Sequence, residues 1–459
     1  MRPGRRQLAA TAVVALVVAL AVAGCADPGP ARPLRPLTDP ATLAPATDPG
    51  TATPTIEPAP WPAERWWDAF GDTALSALVD RALSAQPSLQ VAQARVQLAA
   101  AQLDAARAGS QPQATLTAEA TDQRFTAKGL VPPALGGATR WNNSLQLGGR
   151  WELDLFGRQR AVLDAAIGQQ RAAIADAQAA RVLLAAELAT QWFALARQLE
   201  QQRLATRALD QRLQLQALVR QRVGAGLDSE VDAAQVDALV AQSQLDLQAL
   251  ADGTARARHA LAELSGQGPQ ALAAADPVLA PLRVQPLPTV LGADLLGRRA
   301  DLVAQRWRVE AALRDIDLAR TRFYPDIDLV AFAGLSSLGL DNLLNAGART
   351  WGVGPALRLP VFDGGRLRAQ LAARQADADA AIEAWNTTLL RALREAADAV
   401  ATMQALQGQQ AAQALADAAA DRAHALALQR YQAGLGTSLH VLVADTAVLA
   451  QRRAAADLK

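Results

Sequence analysis

Leu145-Gln146-Leu147-Gly148-Gly149-Arg150-Trp151-Glu152-Leu153-Asp154-Leu155-Phe156-Gly157-Arg158 carries the pattern that decides the fold. Leu145, Leu147, Trp151, Leu153 and Leu155 fall on one face of an extended chain. Gln146, Gly148, Arg150, Glu152 and Asp154 fall on the other, as in a strand with one apolar face. From Arg158 the period changes, and a helical pattern runs to about Val223. At 1.5 Å per residue such a helix is roughly 100 Å long, more than a soluble globular domain needs.

The same transition occurs twice. Trp351, Val353, Leu357, Leu359 and Val361 alternate with Gly352, Gly354, Ala356 and Arg358, and a second helical run extends from about Arg366 to Gln432. A strand precedes each of these. Ala114, Leu116, Ala118 and Ala120 alternate with Thr115, Thr117, Glu119 and Thr121, whereas Ile327 to Ala333 is less regular. The expected strands are about 110–123, 141–157, 324–336 and 351–362. The long helices carry seven-residue seams: Ile382, Leu389, Ala396 and Met403 beside Trp385, Ala392, Ala399 and Leu406, and Val182, Ala189 and Ala196 beside Ala185, Trp192 and Leu199. So many alanines at seam positions predict closely spaced coiled-coil helices.

Other segments echo across the chain. Leu89, Val96 and Leu103 recur as Leu302, Val309 and Ile316, and Gln221-Arg222-Val223-Gly224-Ala225-Gly226-Leu227 recurs as Gln429-Arg430-Tyr431-Gln432-Ala433-Gly434-Leu435. The reading is an internal two-fold repeat, 63–265 and 297–459, joined by a connector at 266–296.

Counting strands constrains the assembly. A membrane tolerates no open sheet edge, and closed membrane barrels need about eight strands or more, so four strands close no barrel. Two chains would supply about eight, with a filled interior; three supply twelve, with room for a lumen. If the strands span a membrane, a homotrimer is favoured. A non-conducting coiled-coil lipoprotein with surface-associated hairpins is the competing class.

The N-terminus bears on that choice. Arg2, Arg5 and Arg6 precede an apolar run, Leu8 to Ala23, too short for a spanning helix, and residues 1–24 read as a signal peptide. Val22-Ala23-Gly24-Cys25 resembles a lipobox that makes Cys25 an acylated first residue; the alternative is an ordinary signal with an incidental cysteine. As the sole cysteine, Cys25 permits no internal disulfide. Ala26 after it resembles an outer-membrane address. Residues 26–62 hold 11 of the 24 prolines, so 25–62 is expected to be a lipidated, extended tether.

Little else suggests chemistry. The net charge of +1 gives no bias toward nucleic acid. His259, His424 and His440 make no metal-spaced pair, and no phosphate-binding Gly-Lys-Ser/Thr loop occurs. No enzyme, metal or cofactor is expected beyond a covalent lipid on Cys25.

The tips between helices are informative by themselves. Gly226 and Gly434 suit the positive φ of a tight helix–helix turn, and Ser229 and Thr437 are placed to cap the helices that follow.

Several motifs then match a family. Trp66-Trp67-Asp68-Ala69-Phe70-Gly71-Asp72, Gly297-Arg298-Arg299-Ala300-Asp301-Leu302, Ala319-Arg320-Thr321-Arg322-Phe323-Tyr324-Pro325-Asp326-Ile327 and Leu359-Pro360-Val361-Phe362-Asp363-Gly364-Gly365-Arg366-Leu367 occur in order, with Trp151-Glu152-Leu153-Asp154-Leu155-Phe156-Gly157-Arg158 between the first two. Over about Trp61 to the C-terminus, the chain resembles the TolC-like outer-membrane factors, most closely the NodT-type efflux lipoproteins. The resemblance implies a trimer whose twelve-stranded transmembrane β-barrel is continuous with an α-helical coiled-coil barrel in the periplasm. It implies a passive efflux conduit anchored in outer-membrane lipid. Its partners would be a periplasmic adaptor (a membrane fusion protein) and an inner-membrane pump, usually of the resistance–nodulation–division class. The loops Arg124 to Arg140 and Ser337 to Thr350 would face outward. The tips, with Gly224, Gly226, Leu227 and Ser229 on one and Gly434, Leu435 and Thr437 on the other, would meet the adaptor. Asp232 and His440 would ring the closed entrance. His440 and Val443 stand where the family often has aspartate, and Gly436 where it often has a basic residue. That departure puts an all-aspartate gate and an aspartate–arginine latch in doubt and leaves two readings of His440: a three-fold histidine ring able to pair with Asp232, or a solvated helix residue with no part in the gate. A type I secretion exit duct is the alternative within transport.

Overall fold

The computed structural model describes residues 34–39, 64–130, 132–279 and 298–459. Cys25, the signal peptide, most of the tether and most of the connector lie outside the described residues. The helices are α1 (Thr73–Ala85), α2 (Pro87–Gly109), α3 (Arg158–Gly224), α4 (Glu230–Leu264), α5 (Ala300–Thr321), α6 (Arg366–Gln432) and α7 (Ser438–Asp457). The strands are β1 (Gln113–Arg124), β2 (Thr139–Glu152), β3 (Asp326–Leu338) and β4 (Arg349–Arg358). Both α3 and α6 are 67 residues long. Two compact units divide the chain: Met1–Asp39 with Ala94–Asp176 and Gly297–Leu389, and Pro40–Gln93 with Ala177–Leu296 and Leu390–Lys459.

The first unit holds one antiparallel sheet in the order β1-β2-β3-β4. Its register sorts the side chains. Leu116, Leu147, Ala333 and Trp351 lie side by side across the four strands, as do Ala114, Gly149, Ala331 and Val353. The opposite face carries Thr117, Gln146, Gly334 and Thr350 in one row and Gln113, Arg150, Val330 and Gly354 in another. Trp351 is 78% exposed and Val353 68%, so no described residue covers this part of the apolar face. The third strand looked irregular because Val330 and Phe332 sit on the polar side. There Phe332 fills space over Gly352, where an added Cβ would lie 2.7 Å from its ring.

Two strands end earlier than the alternation predicts. β2 stops at Glu152 because Asp154 turns back to accept hydrogen bonds from the backbone N–H groups of Gln159 (3.1 Å) and Arg160 (3.0 Å), opening α3. β4 stops at Arg358. Pro360 has no N–H for a ladder, and Asp363 accepts from the N–H groups of Gly365 and Leu367 to open α6. Leu153, Leu155, Leu359 and Val361 therefore lie beyond the strands. Below the sheet, Ile316, Ala319, Phe323, Leu367, Leu371 and Ala378 form a small core, with Leu34 packed against it.

The second unit is helical. Trp67, Leu75, Val79, Leu188, Trp192, Leu195 and Leu261 form its main core. Asp72 caps α1 and also accepts from the Trp192 indole N–H at 2.7 Å. The seams are only partly closed within one chain. Ala185, Ala189, Trp192, Ala196, Leu199 and Ala392 are buried, as are Ile382, Trp385 and Leu389 on the part of α6 that belongs to the first unit. Val182 and Ala399 are exposed, and Ala396, Met403 and Leu406 are half-buried. Among the described residues, nothing fully covers those positions.

Candidate functional site

The tip between α3 and α4 is built by local chemistry. Gly226 takes φ 73°, and the N–H of Leu227 returns to the carbonyl of Arg222 at 2.9 Å, closing the helix end. Gly224 is the last residue of α3. Ser229 then starts α4 with a reciprocal capping box: Asp232 N–H donates to Ser229 Oγ (3.3 Å), and Ser229 N–H donates to Asp232 Oδ2 (3.0 Å). The tip between α6 and α7 shares the turn but not the cap. Gly434 has φ 75°, and Leu435 N–H donates to the Arg430 carbonyl at 2.8 Å. Thr437 occupies the cap position, yet its hydroxyl makes no capping bond. It lies 3.0 Å from Nδ1 of His440, which stands where Asp232 stands in the first tip.

The two tips are tied to each other inside one chain. The Tyr431 hydroxyl donates to Asp228, which also accepts from Arg222 Nε (2.9 Å) and Nη2 (3.2 Å). The Arg222 guanidinium lies 4.7 Å from the Tyr431 ring centroid. Ser438 Oγ donates to Asp232 Oδ1 at 2.6 Å. Deeper in, Arg212 on α3 donates to Asp445 on α7 (2.8 Å) and to Ser243 on α4 (2.7 Å), and all three are buried. Val219, Val236, Val240, Tyr431, Val441 and Leu442 pack around these ties.

The charges are matched to this wiring. The hydrogen bond from Arg222 holds the Asp228 carboxyl below the usual carboxylate range; burial opposes it and Tyr431 reinforces it. Hydrogen bonds from Ser229 and then Ser438 do the same for Asp232. Burial, and then the bond to Asp228, pushes the Tyr431 phenol well above its ordinary value. Asp232 thus faces Ser229 and Ser438, while His440 faces Thr437, and no hydrogen bond or ion pair joins Asp232 to His440 among the described residues.

Apolar side chains lie outside the ties. Leu227 is 65% and Leu435 71% exposed, and Val231, Leu439 and Val443 continue the two patches at four-residue spacing. The sequence reading located the turns at Gly226 and Gly434 and the cap at Ser229; it named Asp232 for an entrance ring and not for the capping box it makes. It missed Tyr431, Asp228, Arg222 and Ser438. The echo of Val223 by Tyr431 was visible, but a tyrosine replacing valine in a repeat points to a polar partner only once the fold supplies one.

One group of carboxylates was also missed. Glu152, Asp326 and Asp328 gather on the polar side of the sheet, with one oxygen each within 4.8 Å of the others. Arg150 pairs with Asp328 at 2.6 Å, and Arg158 pairs with Glu152, so arginines occupy this cluster.

A family model described as outer membrane efflux protein matches residues 78–267 and 291–459. The chain belongs to the outer membrane efflux protein family. Among relatives of this efflux protein, the putative multidrug resistance outer membrane protein MdtQ of Escherichia coli is 32% identical over 396 residues, covering 84% of this chain and 83% of MdtQ. The fusaric acid resistance protein FusA of Burkholderia cepacia is 34% identical, over 80% of this chain and 69% of FusA. Among solved structures, the outer membrane protein VceC of Vibrio cholerae superposes with TM-score 0.81 at 34% identity, covering 87% of this chain and 95% of VceC. The outer-membrane channel OprN gives TM-score 0.81 at 30% identity, over 91% and 95% of the two chains. The efflux protein is an outer-membrane channel component of an efflux system.

Proposed function

We propose that three copies of this efflux protein close a twelve-stranded barrel across the outer membrane, each anchored by a lipid on Cys25. One observation carries the reading: among the described residues, a single four-stranded sheet has a bare apolar face, and its outer strands, β1 and β4, have no partner on one side. An aqueous sheet of this kind exposes both a large apolar patch and two pairing edges, each of which promotes aggregation. Pairing β4 of one copy with β1 of the next removes both edges, and lipid covers the apolar face. The polar rows then line a water-filled lumen. The exposed seam positions Val182 and Ala399 and the half-buried Met403 give neighbouring helices a surface to pack on.

The exposed Leu227, Val231, Leu435, Leu439 and Val443 at the tips are the surface for a periplasmic adaptor, and an inner-membrane pump supplies the energy. The duct carries small molecules of the kind for which MdtQ and FusA are named. It performs no chemistry and holds no cofactor. Asp232 and His440, each on the first turn after its tip, ring the entrance in the trimer. The test combines two readouts. Detergent-extracted protein is expected to be trimeric and to conduct ions in planar bilayers, and His440→Asp is expected to change the leak through the resting pore. A monomer that stays soluble without detergent would end the barrel reading. Unchanged conductance and drug sensitivity in His440→Asp would end the gate reading alone.

A further inference from the structure

Phe332 breaks the sorting of the sheet. It is the one aromatic residue of β1–β4 on the polar face; Trp141, Trp151 and Trp351 all lie on the apolar one. Its row across the four strands is Thr115, Gly148, Phe332 and Gly352. Both residues directly opposite Phe332 are therefore glycines, and the next row adds Val330 and Gly354. Gly352 lies under the ring: an added Cβ would come within 2.7 Å of Phe332 Cε1 and 2.9 Å of Cζ. Gly148 and Gly354 lie under nothing. A Cβ on Gly148 would find only the Thr115 carbonyl oxygen, 3.8 Å away, and one on Gly354 would find no atom within 4 Å. Neither has a positive φ, and the ladder runs through both without a bulge. Glycine weakens a strand interior. Where no turn, bulge or packed side chain requires it, it marks a place where another molecule can approach the backbone.

The ring leans toward β4, so the strip above Gly148 stays open between Phe332 on β3 and Thr115 on β1. Charge around this slot is balanced. Toward the helices, the acids Glu152, Asp326 and Asp328 gather on the same face. Arg150 pairs with Asp328 at 2.6 Å, Arg158 pairs with Glu152, and Arg358 stands directly across the ladder from Asp326. Three carboxylates thus meet three guanidiniums, and the set carries no net charge. In the other direction Glu119 is two rows away, in a row with Ser144 and Ser336. Neither sign of charge is favoured at Phe332. What the slot offers is an aromatic ring beside bare backbone. Such a ring gains by being covered, and a second ring, offset or edge-on, is favoured beyond the area it buries.

We propose that Phe332, with the bare backbone of Gly148 beside it, is a contact site in the conduit for planar aromatic cargo, selecting by ring shape and not by charge. The proposal rests on the reading that the polar face of the sheet lines the lumen. Single-channel recording of the purified full protein in planar bilayers tests it, with transient block of the current as the readout. Proflavine and naphthalenesulfonate are planar aromatic ions of opposite charge; tetraethylammonium and hexanesulfonate are aliphatic ions of matching charge. The two aromatics are expected to block with longer dwell times than their aliphatic counterparts. Phe332→Leu is expected to shorten both aromatic dwell times roughly two- to tenfold and to leave the aliphatic ones unchanged, while Phe332→Tyr keeps them long. Gly148→Val keeps the ring and fills the slot, so it is expected to show the same loss even where Phe332→Leu fails to assemble. Aromatic dwell times unchanged in Gly148→Val, or in a conducting Phe332→Leu channel, would overturn the proposal. Dwell times that fall in Asp328→Asn and not in Phe332→Leu would assign the block to the acids and overturn it as well. If the unmodified channel conducts but holds aromatics no longer than aliphatics, the contact site fails and the pore stands. If it passes no current, the lumen reading fails and takes the site with it.

Discussion

Ser229 and Thr437 hold equivalent positions after their turns, yet only Ser229 caps. Ser229→Ala is therefore expected to destabilise its hairpin by about 1 kcal/mol, and Thr437→Ala by much less; thermal unfolding of the two variants compares them directly. Tyr431→Phe keeps the buried ring and removes the bond to ionised Asp228, at a cost of about 1.5–3 kcal/mol. That variant is expected to show earlier protease cleavage at the tips; cleavage at the parent rate would mean that the tie is idle. The pH response follows from Asp228 and Asp232. Both carboxyls are lowered on folding, so their stabilisation is complete above the ordinary carboxylate value near pH 4 and is lost as pH falls through the depressed values. Protease resistance of the tips should be flat from neutral pH down to about pH 5 and fall only in stronger acid. Loosening around neutral pH would contradict this. Gly226, Gly434 and Ser229 were readable because a positive φ and a cap are demands of the local chain. Tyr431 and Asp228 were not, because 203 residues separate them and no local rule pairs them.

At the scale of elements, the alternation around Leu147 located β2 and the change of period located α3. Strand ends were misjudged where the polar members of the alternation, Asp154 and Asp363, became helix caps. The pairing of β2 with β3, which joins the two hairpins, left no sequence signal beyond compatible faces. It is sterically tight: a Cβ on Gly334 would meet the Leu145 carbonyl oxygen at 2.3 Å. Gly334→Ala is expected to part β2 from β3 locally and lower the heat stability of the assembled protein, whereas Gly354→Ala, with open space around it, should be tolerated. Heating series on denaturing gels separate the two. The buried Arg212–Asp445 pair makes a different prediction for α3 and α7. Arg212→Met alone strands a buried carboxylate and is expected to cost about 3–5 kcal/mol, while Arg212→Met with Asp445→Leu should recover most of that loss. A double-mutant cycle in denaturant reads the difference.

At the scale of the whole molecule, four strands, a bare apolar face and half-covered helical seams all describe a part made for assembly. The number of strands was legible in the sequence, and with it the expectation that a closed barrel would take several chains. The closure proposed above was not, because it would depend on surfaces of neighbouring copies that no single sequence displays. The central claim is that copies of this chain together enclose a conducting pore. The most direct measurement is single-channel recording of the purified, detergent-extracted protein in planar bilayers, on a sample whose mass has been determined in the same detergent. A trimeric mass with discrete, stable conductance steps is the predicted result. A monomeric mass, or a trimer that inserts and passes no current at any voltage the bilayer withstands, would contradict it.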